Sequence, residues 1–369
     1  MKKIFVGLFV FGLLGACSAE NSVKSTSSSS GGAGALACTG DKGVKPAESD
    51  YCSSCTISAT ANPAKCTNAR PVDACCAFVA GPKGSVARGT GLVRYSGSDA
   101  TVNLACLKAP PAGGASKTVT LKGNVRLFSS GDDSKNVKIE IFKEGANGAV
   151  GERVGEPVVT TGDDAKNPPT VDTLLKKCPQ EGCKFRAFEY PNVPTETPLI
   201  IKTSDASGGS QWAELYDYNI YFASSAVDGS NVIKYDPSVV AATDLNTVAS
   251  AAGGFTVKPD RGLLAGEVHD CGDVRLSGAY VDTDVEHESD VFYFGENEAD
   301  PLPDKNRSQD GTSKLGLFGM LNMKTGVPVR ISAVGNYNGQ MVLLGTYTVQ
   351  TFPGAVTALS FRGRRPFQK

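Results

Sequence analysis

The sequence predicts an all-β protein: a cysteine-rich N-terminal module, then two antiparallel β-sandwich domains in tandem. Three observations carry this prediction. Short apolar runs with two-residue alternation recur along the chain, broken by Gly, Pro, Asn, Asp and Ser. Glycine (42) and proline (20) are abundant, and one short stretch alone has helical character. Six of the eleven cysteines crowd between Cys38 and Cys76, where large apolar residues are too few to hold a core unaided.

The chain opens with Lys2 and Lys3, then an uncharged, mostly apolar run from Ile4 to Ala16. That run is shorter than the roughly 20 residues a membrane span needs, but it suits a signal peptide. It ends in Leu14, Gly15, Ala16 and Cys17, which resembles a bacterial lipobox. The resemblance implies removal of residues 1–16, lipidation of Cys17 and a lipid anchor in a membrane. Ser18, rather than an aspartate, follows the cysteine and implies the outer membrane, on its periplasmic or cell-surface face. Residues 17–37 carry seven serines between Ser18 and Ser30, then glycines, and read as a tether. Loss of Lys2 and Lys3 leaves 35 basic against 38 acidic residues, a net charge of −3, so no basic excess points to nucleic acid.

Residues 38–112 form the cysteine-rich module. With Cys17 lipidated, Cys38, Cys52, Cys55, Cys66, Cys75, Cys76, Cys106, Cys178, Cys183 and Cys271 remain as disulfide candidates. Cys178 and Cys183 suit a small closed loop. The seven cysteines upstream are odd in number, so Cys271 is expected to bridge to one of them, while the connectivity stays open. Cys52 and Cys55 lack the second pair or nearby histidine that a zinc site needs.

The first sandwich is placed at 117–255. Strands are expected at 119–127, 137–141, 185–188, 198–201 and 215–222, with a helix from Ala241 to Ala252 ending at Gly253 and Gly254. The second sandwich, 260–369, carries about seven strands: 262–268, 274–281, 291–294, 315–321, 327–334, 341–349 and 356–361. Each domain opens on a Gly-x-Val strand, at Gly123–Val125 and at Gly266–Val268. The two read as a diverged tandem repeat.

Gly266 and Val268, the small-residue strand Val274–Val281, the set Thr312, Gly316, Phe318 and Leu321, and Gly326 before a strand together resemble the carboxypeptidase regulatory-like domain, a transthyretin-like sandwich within the wider immunoglobulin-like class. The resemblance covers 262–362 well and 117–224 weakly, where the Thr-x-x-x-Gly-x-Phe set is missing, and it does not reach 38–112. It implies a module without catalytic residues, one that packs beside enzymes or repeats as a spacer on surface proteins.

Candidate chemistry is sparse. His269 and His287 are the only histidines, and no nucleophile elbow or His-Glu-x-x-His motif accompanies them. Glu267, His269 and Asp273 lie close in sequence, as a polar strand end or a weak metal set. Asp282, Asp284, Glu286, Glu288 and Asp290 alternate and, if extended, point to one face as a weak Ca²⁺ candidate. Trp212, Tyr216, Tyr218, Tyr221 and Phe222 read as core, with a sugar platform as the alternative. The sequence thus predicts a non-enzymatic, cofactor-free lipoprotein: an envelope scaffold, spacer or adhesion-type module, partnered by a membrane and by an envelope protein or glycan. A glycan- or Ca²⁺-binding surface protein, or an accessory module of an envelope hydrolase, is the alternative.

Overall fold

The computed structural model describes residues 35–36, 55–56, 91–95, 101–128, 133–160, 186–283, 285, 287–289, 291–297, 301–337 and 340–368. Cys17, Cys38, Cys52, Cys66, Cys75, Cys76, Cys178, Cys183, Asp284, Glu286 and Asp290 lie outside them.

The upstream part contributes β1 (Ala35–Leu36), β2 (Cys55–Thr56), β3 (Val93–Arg94) and a single helical turn, α1 (Ala105–Lys108). The first sandwich is built from β4 (Thr118–Asn124), β5 (Arg126–Leu127), β6 (Val137–Glu144), β7 (Val150–Val159), β8 (Ala187–Pro194), β9 (Leu199–Asp205), β10 (Leu215–Ile220), β11 (Val232–Lys234) and β12 (Ser238–Val239). Helix α2 (Ala242–Gly253) follows. The second sandwich is built from β13 (Gly262–Val268), β14 (Leu276–Ser277), β15 (Ala279–Thr283), β16 (Phe292–Tyr293), β17 (Leu317–Met323), β18 (Pro328–Tyr337), β19 (Gln340–Gln350) and β20 (Val356–Phe361).

The all-β class is observed, and α2 occupies the expected stretch. Gly254, at φ 79°, ends the helix, its N–H donating to Ser250 O. Only a left-handed residue can turn the chain this way, which glycine does without cost. Strand β7 was not anticipated, because its polar sequence carries little apolar alternation. Yet Asn147 and Gly148, both at positive φ, make the turn that pairs it with β6, and Asn-Gly is a strong hairpin signal.

The two sandwiches share one strand plan. In the first, β4 is flanked by β11, parallel, and β8, antiparallel. In the second, β13 is flanked by β20, parallel, and β17, antiparallel. The facing layers run β6-β9-β10 and β15-β18-β19. The parallel pairs depart from the purely antiparallel expectation. They also explain both Gly-x-Val motifs. A Cβ on Gly123 would sit 1.8 Å from Tyr235 O, and one on Gly266 would sit 1.8 Å from Leu359 O. In each copy the parallel neighbour's carbonyl fills the space a side chain would need.

The copies are joined edge to edge. Parallel pairing of β10 with β20, from Leu215↔Val356 to Tyr218↔Leu359, makes one eight-stranded sheet ordered β16-β17-β13-β20-β10-β9-β6-β7. The sequence boundary at 255–260 is therefore crossed by continuous hydrogen bonding. Alternation divides the side chains between the faces. Ile139, Ile141, Leu199 and Ile201 pack on Leu121, Tyr190 and Val193 in the first core, while Leu264, Phe318, Met320 and Leu359 pack on Val281, Ile331, Ala333 and Val349 in the second. The cores lie on opposite faces of the shared sheet, because Leu215 and Val356 face one side while Tyr216 and Leu359 face the other. Helix α2 adds Ala249, beside Leu215, Leu263 and Val356, over the free face of the second half.

Candidate functional site at the seam

Beyond that apolar patch, the same sheet face turns ionic where the halves meet. Alternation places Asp217 of β10 and Glu267 of β13 on one face, either side of β20. The turn after β13 brings His269 back onto Glu267, with Nε2 2.7 Å from Oε2, and Arg275 Nη2 donates to Glu267 Oε1 at 2.8 Å. His269 Nδ1 lies 3.0 Å from Asp273 Oδ1, and Arg362, just past β20, pairs with the same carboxylate. Tyr235 donates to Asp217 Oδ2 at 3.2 Å from the first sandwich.

Burial alone would lower the His269 pKa, but hydrogen bonds from the ring to Asp273 and Glu267, and the charge of Glu267, outweigh it and raise it. Burial would raise Glu267, but His269, Arg275 and Arg362 hold it well below the carboxylate range. Asp273 is likewise held at about 2, against burial, by His269 and Arg362. Asp217 is pushed up to about 7 by desolvation, which the charge of Arg362 and the Tyr235 hydroxyl only partly offset.

Both ring nitrogens of His269 face carboxylates, which favours its protonated form. The arrangement is an ionic network within the second half, whose Arg362 also acts electrostatically on Asp217 of the first. Sequence proximity pointed to Glu267, His269 and Asp273; it missed Arg275, brought back by the turn after β13, Arg362, placed by the β13–β20 pairing, and Asp217 with Tyr235, which arrive through the β10–β20 pairing. Among the described residues no group of three His, Cys, Asp or Glu side chains is placed to hold a metal ion.

The other candidates are dispersed. Asp282 sits in β15, where its Oδ1 accepts from Thr283 N, and burial raises its pKa. Glu288 is engaged by Lys258 at 2.8 Å and Asn322 at 2.6 Å, on the side of β17. His287 Nδ1 contacts Ser289 O. Trp212 is 5% exposed with its Nε1 donating to Lys135 O, and Tyr218 is fully buried and bonded to Gly148 O, so neither offers an open ring face. Tyr216 is also buried and stacks on Phe352 at 4.0 Å.

Cys271 is bonded to Cys106, one of the seven upstream cysteines, across 165 residues. Cys55 enters as backbone of β2, paired with β1. The motif residues of the second sandwich do structural work. Thr312 is fully buried, accepting from Ala279 N at 3.0 Å and donating to Leu276 O at 2.8 Å. Gly316 has φ 67°, and Phe318 is buried in the core.

No protein-family model matches the chain, and no curated protein matches it. Among solved structures, the SpaE basal pilin from Lactobacillus rhamnosus GG is similar at 9% identity and TM-score 0.16, covering 65% of this chain and 85% of that one.

Proposed function

We propose that the protein is a non-enzymatic, lipid-anchored envelope lipoprotein that works as a scaffold, spacer or adhesion-type module, held by Cys17 to the outer membrane. The observation that carries this is the shared eight-stranded sheet. It makes two copies of one sandwich plan a continuous hydrogen-bonded body, as a spacer requires. The anchor is supported by the lipobox resemblance at Leu14–Cys17 and by the apolar run before it. Several buried acyl chains at roughly 0.8 kcal/mol per CH₂ would hold it stably.

The test is fractionation of cells producing the wild type and Cys17→Ser, with radiolabelled palmitate. Wild type should carry label and sediment with the outer membrane, and the variant should lose both. Unlabelled wild type in the soluble fraction would refute the anchor. Protease treatment of intact against permeabilised cells then assigns the face, and turnover of any substrate in a hydrolase panel would refute the non-enzymatic reading.

A further inference from the structure

Residues Gly91–Tyr95 and Thr101–Leu107 precede both sandwiches, yet they are stitched onto the second. Leu92, Val102, Leu104 and Leu107 are buried in its core. Leu92 fills the space over Gly335, where a Cβ would come within 2.3 Å of Leu92 Cδ2. The backbone bonds are Leu92 N to Asn336 O at 2.7 Å, Tyr95 N to Arg275 O at 2.9 Å and Cys271 N to Asn103 O at 2.8 Å, and β3 pairs with β14. Asp270, 1% exposed, gathers Asn103 N at 3.0 Å and Arg94 Nε at 2.8 Å. The Cys106–Cys271 bond closes this arrangement. Gly363 at φ 70° lies over it, with its Cβ position 2.0 Å from Cys106 Sγ. Downstream, Ala109 to Thr118 is exposed apart from Pro110. Both cysteines are only partly buried.

We propose that these residues are a strap whose docking is set by the redox state of Cys106–Cys271. With the bond intact, a pull from the N-terminal side is received at the turn between β13 and β14. With it broken, the strap peels, the pull falls on the hydrogen bonds that Gly114, Ser116 and Lys117 make to Glu196 and Thr195 beside β4, and residues 91–113 join the tether, adding at most about 80 Å of extended chain. The reductant is a dithiol. One thiolate attacks a sulfur of the bond to form a mixed disulfide, and the second displaces the protein sulfur. Two electrons and two protons pass to Cys106 and Cys271, and the dithiol leaves as a disulfide. The consequence for reach rests on the anchored reading above, but the strap does not.

The experiment is native-state hydrogen exchange on the purified full-length chain in detergent, so a failure of anchoring in cells leaves its outcome untouched. In Cys106→Ala/Cys271→Ala, the amides of Leu92, Tyr95 and residue 271 should exchange at least about tenfold faster, while those of β6 and β9 keep their protection. Unchanged strap amides, or loss in β6 and β9 in step with the strap, would overturn the proposal. Should the variant fail to fold, the wild type is titrated with a dithiol and alkylated. Strap exchange must then rise in proportion to modified Cys271, and full modification without a rise overturns the proposal equally.

Discussion

Buried titratable groups give the protein a particular response to pH. Glu144 accepts a hydrogen bond from Tyr347, yet desolvation prevails over that bond and pushes its pKa up to about 7. The folded chain therefore holds a proton there that the unfolded chain has released. The stabilisation is fully present below about 4.5 and is lost as pH rises to about 7. Glu144→Gln keeps the shape and an acceptor for Tyr347 but cannot titrate. Unfolding free energies by denaturant at pH 5 and pH 8 should differ less in this variant than in wild type, by about 2 kcal/mol; an unchanged difference contradicts the assignment. Asp273 and Glu267, held low by His269 and the arginines, act in the opposite sense and lose their stabilisation on acidification. Of these residues the sequence showed only the local set Glu267, His269 and Asp273. Asp217 is 50 residues away from Glu267 and meets the seam through strand pairing alone, which no local pattern encodes.

At the scale of elements, the Gly-x-Val motifs were legible as a repeat before their cause was visible. Alternation marked β4 and β13 as strands, but it could not show that each receives a parallel neighbour whose carbonyl occupies the Cβ position. Because the obstacle is backbone, it cannot rotate aside. Gly123→Ala and Gly266→Ala should each destabilise by about 1–3 kcal/mol in urea unfolding. Gly326→Ala makes a useful contrast, since nothing lies within 4 Å of its Cβ position and only its φ of 74° is strained. Equal, negligible losses at Gly123 and Gly266 would contradict the close approach. Element boundaries elsewhere were read well where alternation or capping was strong, as in β6 and α2. They were missed where polarity hid a strand, as in β7, an edge element with Glu152, Arg153 and Glu156 along it.

For the whole molecule, the sequence suggested three modules in a row, and the structure binds described parts of all three together. The strap around Cys106 completes the core of the second sandwich, and β10 of the first extends the sheet of the second. Sequence alone could not show either join, because both depend on contacts between residues more than 100 positions apart. A body built this way should unfold as one unit. Trp212, the sole tryptophan, reports on the first core, and calorimetry reports on the whole. The account predicts that loss of Trp212 fluorescence coincides with a single calorimetric transition whose measured and van't Hoff enthalpies agree. Two resolved transitions, with Trp212 following only one, would show that the sandwiches are independent beads and contradict the shared-sheet account.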